Sequence, residues 1–308
     1  MSTIKTKIQK EKVINFLQNH FQENISNLTS VEGGEISQAF SFHKKSKDFV
    51  IRINSRSDGF EKDKYAFEHF STAVIPIPKV LEIGRFDNMY YYAISEKAQG
   101  KILQNLSDAE YKETFPELFD ILNSIHNISI PEVSGFGCWS IDGSMETKTW
   151  KDYVLAVDKY AVGSVDKPSL FETSFLEKDI WDDTYKQMKL LLSYCPEDKY
   201  LIHGDYGTDN VTANQAKITG VFDWEGSKYG DFLYDIAWLN FWNPERNSMT
   251  FFKDYYTKVK PEKNFEERVL CYQLRIGLSS LSFYATSSQK EKYESTKNKL
   301  MRLMEHGE

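Results

Sequence analysis

The chain has 308 residues, 41% hydrophobic and 15% aromatic, which is too long for one small core and too apolar for a disordered chain. No apolar run approaches the ~20 residues that span a bilayer, and Met1–Lys7 holds no apolar signal core, so export is not expected. A net charge of −7 without a basic stretch argues against nucleic acid and suits a cationic partner, while three scattered cysteines fit reduced thiols in a cytoplasmic protein.

Residues 5–22 carry Ile8, Val13, Ile14, Phe16, Leu17 and Phe21 at three- and four-residue spacings, a helical pattern. Glu32-Gly33-Gly34-Glu35-Ile36-Ser37 follows. Two glycines there let backbone N–H groups approach phosphates closely, although a Gly-Gly turn before a strand is ordinary. The runs Ala39–Phe42, Phe49–Ile53 and Tyr90–Ile94 are β-branched or aromatic and read as strands. Between them Glu61–Thr72 reads as a helix, stopped by Ile75-Pro76-Ile77-Pro78, where each proline restricts its predecessor and donates no N–H.

Beyond Gly100 the pattern turns helical: Asp108–Asn127 with an interruption at Pro116, Thr149–Ala161, Asp179–Ser193, and most of Phe232–Leu303. There is no internal repeat and no low-complexity segment. The expected class is α+β, with a strand-rich N-terminal lobe over 1–97 and a mainly helical lobe over 98–308.

The most informative residues lie in the second half. Tyr200-Leu201-Ile202 delivers the turn His203-Gly204-Asp205, Asn210 follows five residues after Asp205, and Asp223 ends the strand Lys217–Phe222. A hairpin through Asn214-Gln215 brings Asn210 and Asp223 to one rim. That set suits phosphoryl transfer, where the protein orients a hydroxyl, holds magnesium and neutralises charge. Asp205 can accept the hydroxyl proton, and Asn210 and Asp223 offer hard oxygen ligands to Mg²⁺. Taken singly, each motif could be a turn or a strand cap.

The pattern resembles the aminoglycoside phosphotransferase and choline kinase superfamily, a branch of the bilobal protein-kinase-like fold, and within it the hygromycin B group. The likeness also includes Arg52-Ile53-Asn54-Ser55, Asp58-Gly59-Phe60, Ile75-Pro76-Ile77-Pro78, Ala98-Gln99-Gly100, Cys195-Pro196-Glu197 and Leu274–Leu278, so it spans nearly the whole chain. The resemblance implies a magnesium-dependent kinase using ATP or GTP on a hydroxyl of an aminocyclitol antibiotic such as hygromycin B, acting as a monomer.

In that reading Arg52 stands where the family places a phosphate-binding lysine, and guanidinium can grip phosphate oxygens in a bidentate fork. Asp63 becomes its carboxylate partner, with Glu61 and Glu68 as alternatives. Gly33, Gly34 and Ser37 cover the nucleotide, and the backbone of Glu96 and Ala98 meets the purine. Asp231 and Asp235 resemble acids that brace the catalytic loop, and His203 and His126 read as scaffold. Asp209, Glu225 and Asp231, with Trp238 and Trp242, are candidates for the acceptor site, although helical spacing also makes the tryptophans core residues.

Two other readings stay open: a kinase of a small metabolic alcohol of the choline, methylthioribose or homoserine type, and a kinase-like binding module without turnover. The presence of Asp205, Asn210 and Asp223 argues against the second. No HExxH or paired-ligand spacing supports a zinc hydrolase.

Overall fold

The computed structural model describes residues 6–31, 36–132, 134–157, 167–246, 248–259 and 262–305. The chain folds as two compact units, one of residues 3–124 with 208–225, the other of 125–207 with 226–308.

The first unit opens with α1 (Lys10–Phe21), whose Val13 and Leu17 are fully buried, and closes it with Gln22 in the left-handed region. It continues through β1 (Ser26–Val31), β2 (Gln38–Lys44), β3 (Lys47–Asn54), α2 (Asp58–Phe70), β4 (Val80–Arg85) and β5 (Tyr91–Glu96). These strands form one antiparallel sheet in the order β1-β2-β3-β5-β4. Alternation sorts the faces. Phe40 and Phe42 of β2 with Ile51 and Ile53 of β3 pack against α1. Arg52, between the two isoleucines, therefore takes the other face, where its guanidinium lies 5.1 Å from the centre of the Phe60 ring on α2.

After β6 (Lys101–Ile102) the expected long helix is two: α3 (Asp108–Glu113) and α4 (Phe115–His126). A reciprocal Ser107–Glu110 capping box starts α3. Pro116 then sits in the first turn of α4, where its missing N–H costs nothing. The last two residues of α4 belong to the second unit.

The second unit runs on through β7 (Phe136–Trp139), β8 (Met145–Thr147), α5 (Trp150–Leu155), α6 (Lys167–Thr173), α7 (Lys178–Leu191) and β9 (Tyr200–Ile202). Thr149 caps α5, and the Glu197 carboxylate accepts from the N–H groups of Trp150 and Lys151 at 2.6 and 3.3 Å. The helix expected to reach Ala161 ends at Leu155, where Ala156 leaves the helical conformation; residues 158–166 lie outside the described residues.

The chain returns to the first unit as β10 (Val211–Asn214) and β11 (Lys217–Val221), a hairpin turned by Gln215 at φ 58° and completed by β6 on its far side. It then re-enters the second as β12 (Lys228–Gly230), α8 (Leu233–Trp242), α9 (Ser248–Val259), α10 (Phe265–Thr286) and α11 (Lys290–Glu305). β12 lies between β7 and β9 in the four-stranded sheet β8-β7-β12-β9. The long α10 is the core of this unit, packed on α7, α8 and α11. At Gly277 it passes α11 so closely that any side chain would collide with Leu300. Among the described residues no helix is long and apolar enough to cross a membrane.

Candidate active site

The first unit holds a cation, two carboxylates and an amide. Arg52 Nη2 donates to Asp63 Oδ2, so the partner read from the sequence is the one found, one turn beyond Phe60 on α2. The other oxygen of Asp63 accepts from the N–H of Trp224 at 2.6 Å, tying the β3 cation to the chain just after Asp223. The hairpin brings Asn210 and Asp223 to one end, with Val211 opposite Val221 and Phe222 N–H donating to Asn210 O at 3.1 Å.

Asp223 is held at φ 68°, a left-handed conformation that costs a non-glycine residue about 1–2 kcal/mol. Strain of this kind concentrates at functional sites. Burial pushes the Asp223 carboxyl up to about 7; Asp63 adds to the rise, Arg52 opposes it, and Glu225 and Asp209 add further. This cluster therefore holds more negative charge than its own cation neutralises.

The donors are an amide oxygen and a carboxylate, hard ligands that suit magnesium rather than a soft metal. Among the described residues no three His, Cys, Asp or Glu could hold a metal unaided. A cation here would need oxygens from elsewhere, as magnesium takes from phosphates and water.

The remaining expectations in this unit divide. Gly33 and Gly34 lie outside the described residues, and Ser37 is partly buried just before β2. Glu96 ends β5, its N–H donating to Lys79 O at 3.0 Å. Ala98 lies against β11, where a Cβ on Gly220 would come within 2.6 Å of its own, and Thr219 donates to Gln99 O. Asp209 and Glu225 are exposed.

The second unit, taken by itself, holds the loop of Asp205. β9 pairs with β12, Ile202 facing Lys228, and delivers His203-Gly204-Asp205 at its end. Asp235, with 0% exposure, holds that turn. Its Oδ2 accepts from His203 N at 2.9 Å and from His126 Nε2 at 3.0 Å, and its Oδ1 from Gly204 N at 2.7 Å. Burial alone would raise the Asp235 carboxyl, but His126, His203 and the Gly204 N–H outweigh it and hold it below its usual range. Asp205 itself is partly buried, its carbonyl accepting from Gly207 N at 2.8 Å.

Asp231 lies in the core. Arg268 grips both its oxygens at 2.6 and 2.9 Å, Tyr272 donates at 2.6 Å and Leu233 N at 3.2 Å. A carboxylate so occupied braces α8 against α10 and has no face for an ammonium group. Trp238 and Trp242 are partly buried and meet edge to face at 6.1 Å, while Phe241 is core.

Sequence reasoning missed three buried basic residues. Arg268, which grips Asp231, Lys228, and Lys62, whose ammonium reaches Glu225 O at 2.7 Å, gave only the faint signal of a charge set among apolar neighbours.

Residues 27–262 match the phosphotransferase enzyme family. The chain belongs to that family: it is an enzyme, a phosphotransferase with an alcohol group as acceptor, built on the kinase-like α+β fold of an antiparallel N-terminal sheet and a helical C-terminal region. It is 33% identical over 267 residues, 84% of this chain and 75% of the relative, to the hygromycin-B 4-O-kinase of Escherichia coli. The crystal structure of aminoglycoside phosphotransferase APH(4)-Ia matches with a TM-score of 0.85 at 29% identity, covering 97% of this chain and 100% of that one. A thermostable mutant of that enzyme, in a ternary complex with ADP and hygromycin B, matches at 0.83 and 30% identity over 96% and 99%.

Proposed function

We propose that this enzyme transfers the γ-phosphoryl group of ATP to a hydroxyl of an aminocyclitol antibiotic, with hygromycin B the first acceptor to test. The observation that carries the reading is the 33% identity over 84% of the chain to a hygromycin-B 4-O-kinase, joined to a structural relative that binds ADP and hygromycin B together.

In this reading Asp205 orients the acceptor hydroxyl and takes its proton as the oxygen attacks phosphorus. Arg52, fixed by Asp63, binds phosphate oxygens of the nucleotide, the fork geometry of guanidinium suiting two oxygens at once. Asn210 and Asp223 would hold Mg²⁺, which supplies positive charge against the charge developing on the transferred group. The backbone around Glu96 and Ala98 receives the purine, with Gly33, Gly34 and Ser37 nearest the phosphates. Asp209 and Glu225, both exposed, offer carboxylates to ammonium groups of the acceptor, and Trp238 and Trp242 offer flat faces to its rings. Asp231 and Asp235 serve as braces.

Mass spectrometry of hygromycin B incubated with the enzyme, Mg²⁺ and ATP tests the proposal. A gain of one phosphoryl group supports it. An unmodified antibiotic, with turnover of choline or another small alcohol under the same conditions, overturns it.

A further inference from the structure

The loop that carries Asp205 is held by an amino group the reaction scheme above does not use. Lys228 is 3% exposed, on the strand between β7 and β9, directly opposite Ile202. Burying an ammonium group is costly, several kcal/mol per ion before compensation, and among the described residues no carboxylate forms an ion pair with this one. Its partners are main-chain carbonyls and a ring. Nζ donates to Gly226 O at 2.5 Å, reaches Gly204 O at 3.5 Å, and lies 4.7 Å from the centre of the Tyr234 ring. Three donors meet three acceptors, which is the full capacity of an ammonium.

The position of those carbonyls gives the group its meaning. Gly204 O and Asp205 N belong to one peptide unit. The amide end of that unit lies 3.3 Å from His203 Nδ1, and its carbonyl end faces Lys228. Gly226 runs alongside, where a Cβ would come within 3.5 Å of Asp205 Cβ. The ammonium therefore clips the segment at 226 to the peptide that aims Asp205. It also accounts for Gly204: at φ +77° the residue is left-handed, and any Cβ would collide with Lys228 Nζ.

We propose that Lys228 is a positioning residue for phosphoryl transfer, fixing the Gly204–Asp205 peptide through its hydrogen bonds to the Gly204 and Gly226 carbonyls. The role rests on the reading of Asp205 as the group that orients the acceptor. Its effect falls on the chemical step, since a displacement of about 1 Å in a positioned group can cost on the order of a hundredfold in rate. The hydrogen bonds, rather than the charge, hold the loop, so glutamine can substitute where methionine cannot.

Two measurements on Lys228→Met and Lys228→Gln test this. Backbone amide hydrogen exchange of the 203–208 segment reports the loop without reference to any substrate, and steady-state kinetics with hygromycin B and ATP report the chemistry. In Lys228→Met the 203–208 amides are expected to exchange at least tenfold faster while those of α10 are unchanged. Its kcat is expected to fall about ten- to a hundredfold with KM for ATP within twofold. Lys228→Gln is expected to stay near wild type in both. If Lys228→Met fails to fold, Lys228→Gln decides alone. Wild-type exchange at 203–208 in Lys228→Met, or fast exchange there in Lys228→Gln, overturns the proposal. Should the wild-type enzyme leave hygromycin B unmodified, the acceptor assignment fails and the exchange data still decide the role of Lys228.

Discussion

The acids of the two units are treated in opposite ways. In the second unit, Asp231 and Asp235 are the most deeply buried carboxylates of their region, and each is fully matched: Asp231 by Arg268 and Tyr272, Asp235 by His126 and two backbone amides. In the first unit Asp63 and Asp223 share one arginine, and Asp223 is pushed up to about 7. A buried carboxylate that the fold uses for support is satisfied by the fold. One left short of positive charge marks where something else must arrive, and strongly perturbed groups cluster at functional sites for that reason.

The contrast can be broken most sharply at the loop of Asp205. Asp205→Asn is expected to lower turnover by about 10²–10⁴-fold while leaving the melting temperature and nucleotide binding unchanged. Near-wild-type turnover in that variant would remove Asp205 from its proposed role. Asp231→Ala should do the reverse. Among the described residues Arg268 would keep only Glu262 and the Lys263 carbonyl, and breaking a buried ion pair costs up to about 3–5 kcal/mol, so urea unfolding should show a large loss of stability at any pH where the protein folds. A midpoint within experimental error of wild type would show that the Asp231 network is not a brace.

Asp223 allows the two kinds of acid to be compared in one experiment. Its folded-state pKa is raised above the unfolded value, so the folded state holds the extra proton. Stability contributed by that proton is present at low pH and is lost as pH rises from about 4 through about 7. Asp223→Asn lacks the titrating group, so metal-free wild type should lose stability relative to this variant between pH 5 and pH 8. A constant difference across that range refutes the assignment. The same proton competes with Mg²⁺. The apparent affinity of the wild-type enzyme for Mg·ATP should therefore weaken by up to about tenfold per pH unit below 7, as read by calorimetric titration at pH 6, 7 and 8.

The smallest expected effect concerns the acceptor. Exposed carboxylates such as Asp209 and Glu225 attract ammonium groups over roughly 8–10 Å at ordinary ionic strength. KM for hygromycin B should rise severalfold between 50 and 300 mM KCl, while KM for ATP changes less. Equal salt dependence of the two constants would take these acids out of acceptor recognition.

Much of the first unit's site was legible because its parts are close in sequence or set by strand alternation. The hairpin that joins Asn210 to Asp223 follows from a four-residue strand, a turn at Gln215 and a five-residue return. Arg52 between Ile51 and Ile53 had to face away from the core, toward the helix that follows. Asp231 and Asp235 were read as bracing acids from the family resemblance, but their partners were not legible. Their partners lie 37 residues apart for Asp231 and Arg268, and 109 apart for Asp235 and His126, separations that no local pattern encodes. Short strands failed for a related reason: β7, β8 and β12 have three or four residues each, too few for a period of two to declare itself. Thr114, buried between α3 and α4, ended a helix where the pattern alone read a proline interruption.

The first unit is discontinuous, and this has a consequence for synthesis on the ribosome. Residues 3–124 emerge long before 208–225, yet among the described residues β6 has only β10 as a hydrogen-bonded neighbour, Ile102 meeting Thr212. Domains tend to fold as units in the order they are made, at about 5–20 residues per second. The early segment can form its five-stranded sheet, but β6 waits for its partner strand and Asp63 for the Trp224 amide. That gap closes only once most of the second unit's loops and helices up to β9 have also left the exit tunnel. The nascent chain therefore passes through an interval in which Arg52 and Asp63 are in place and the hairpin that carries Asn210 and Asp223 is not.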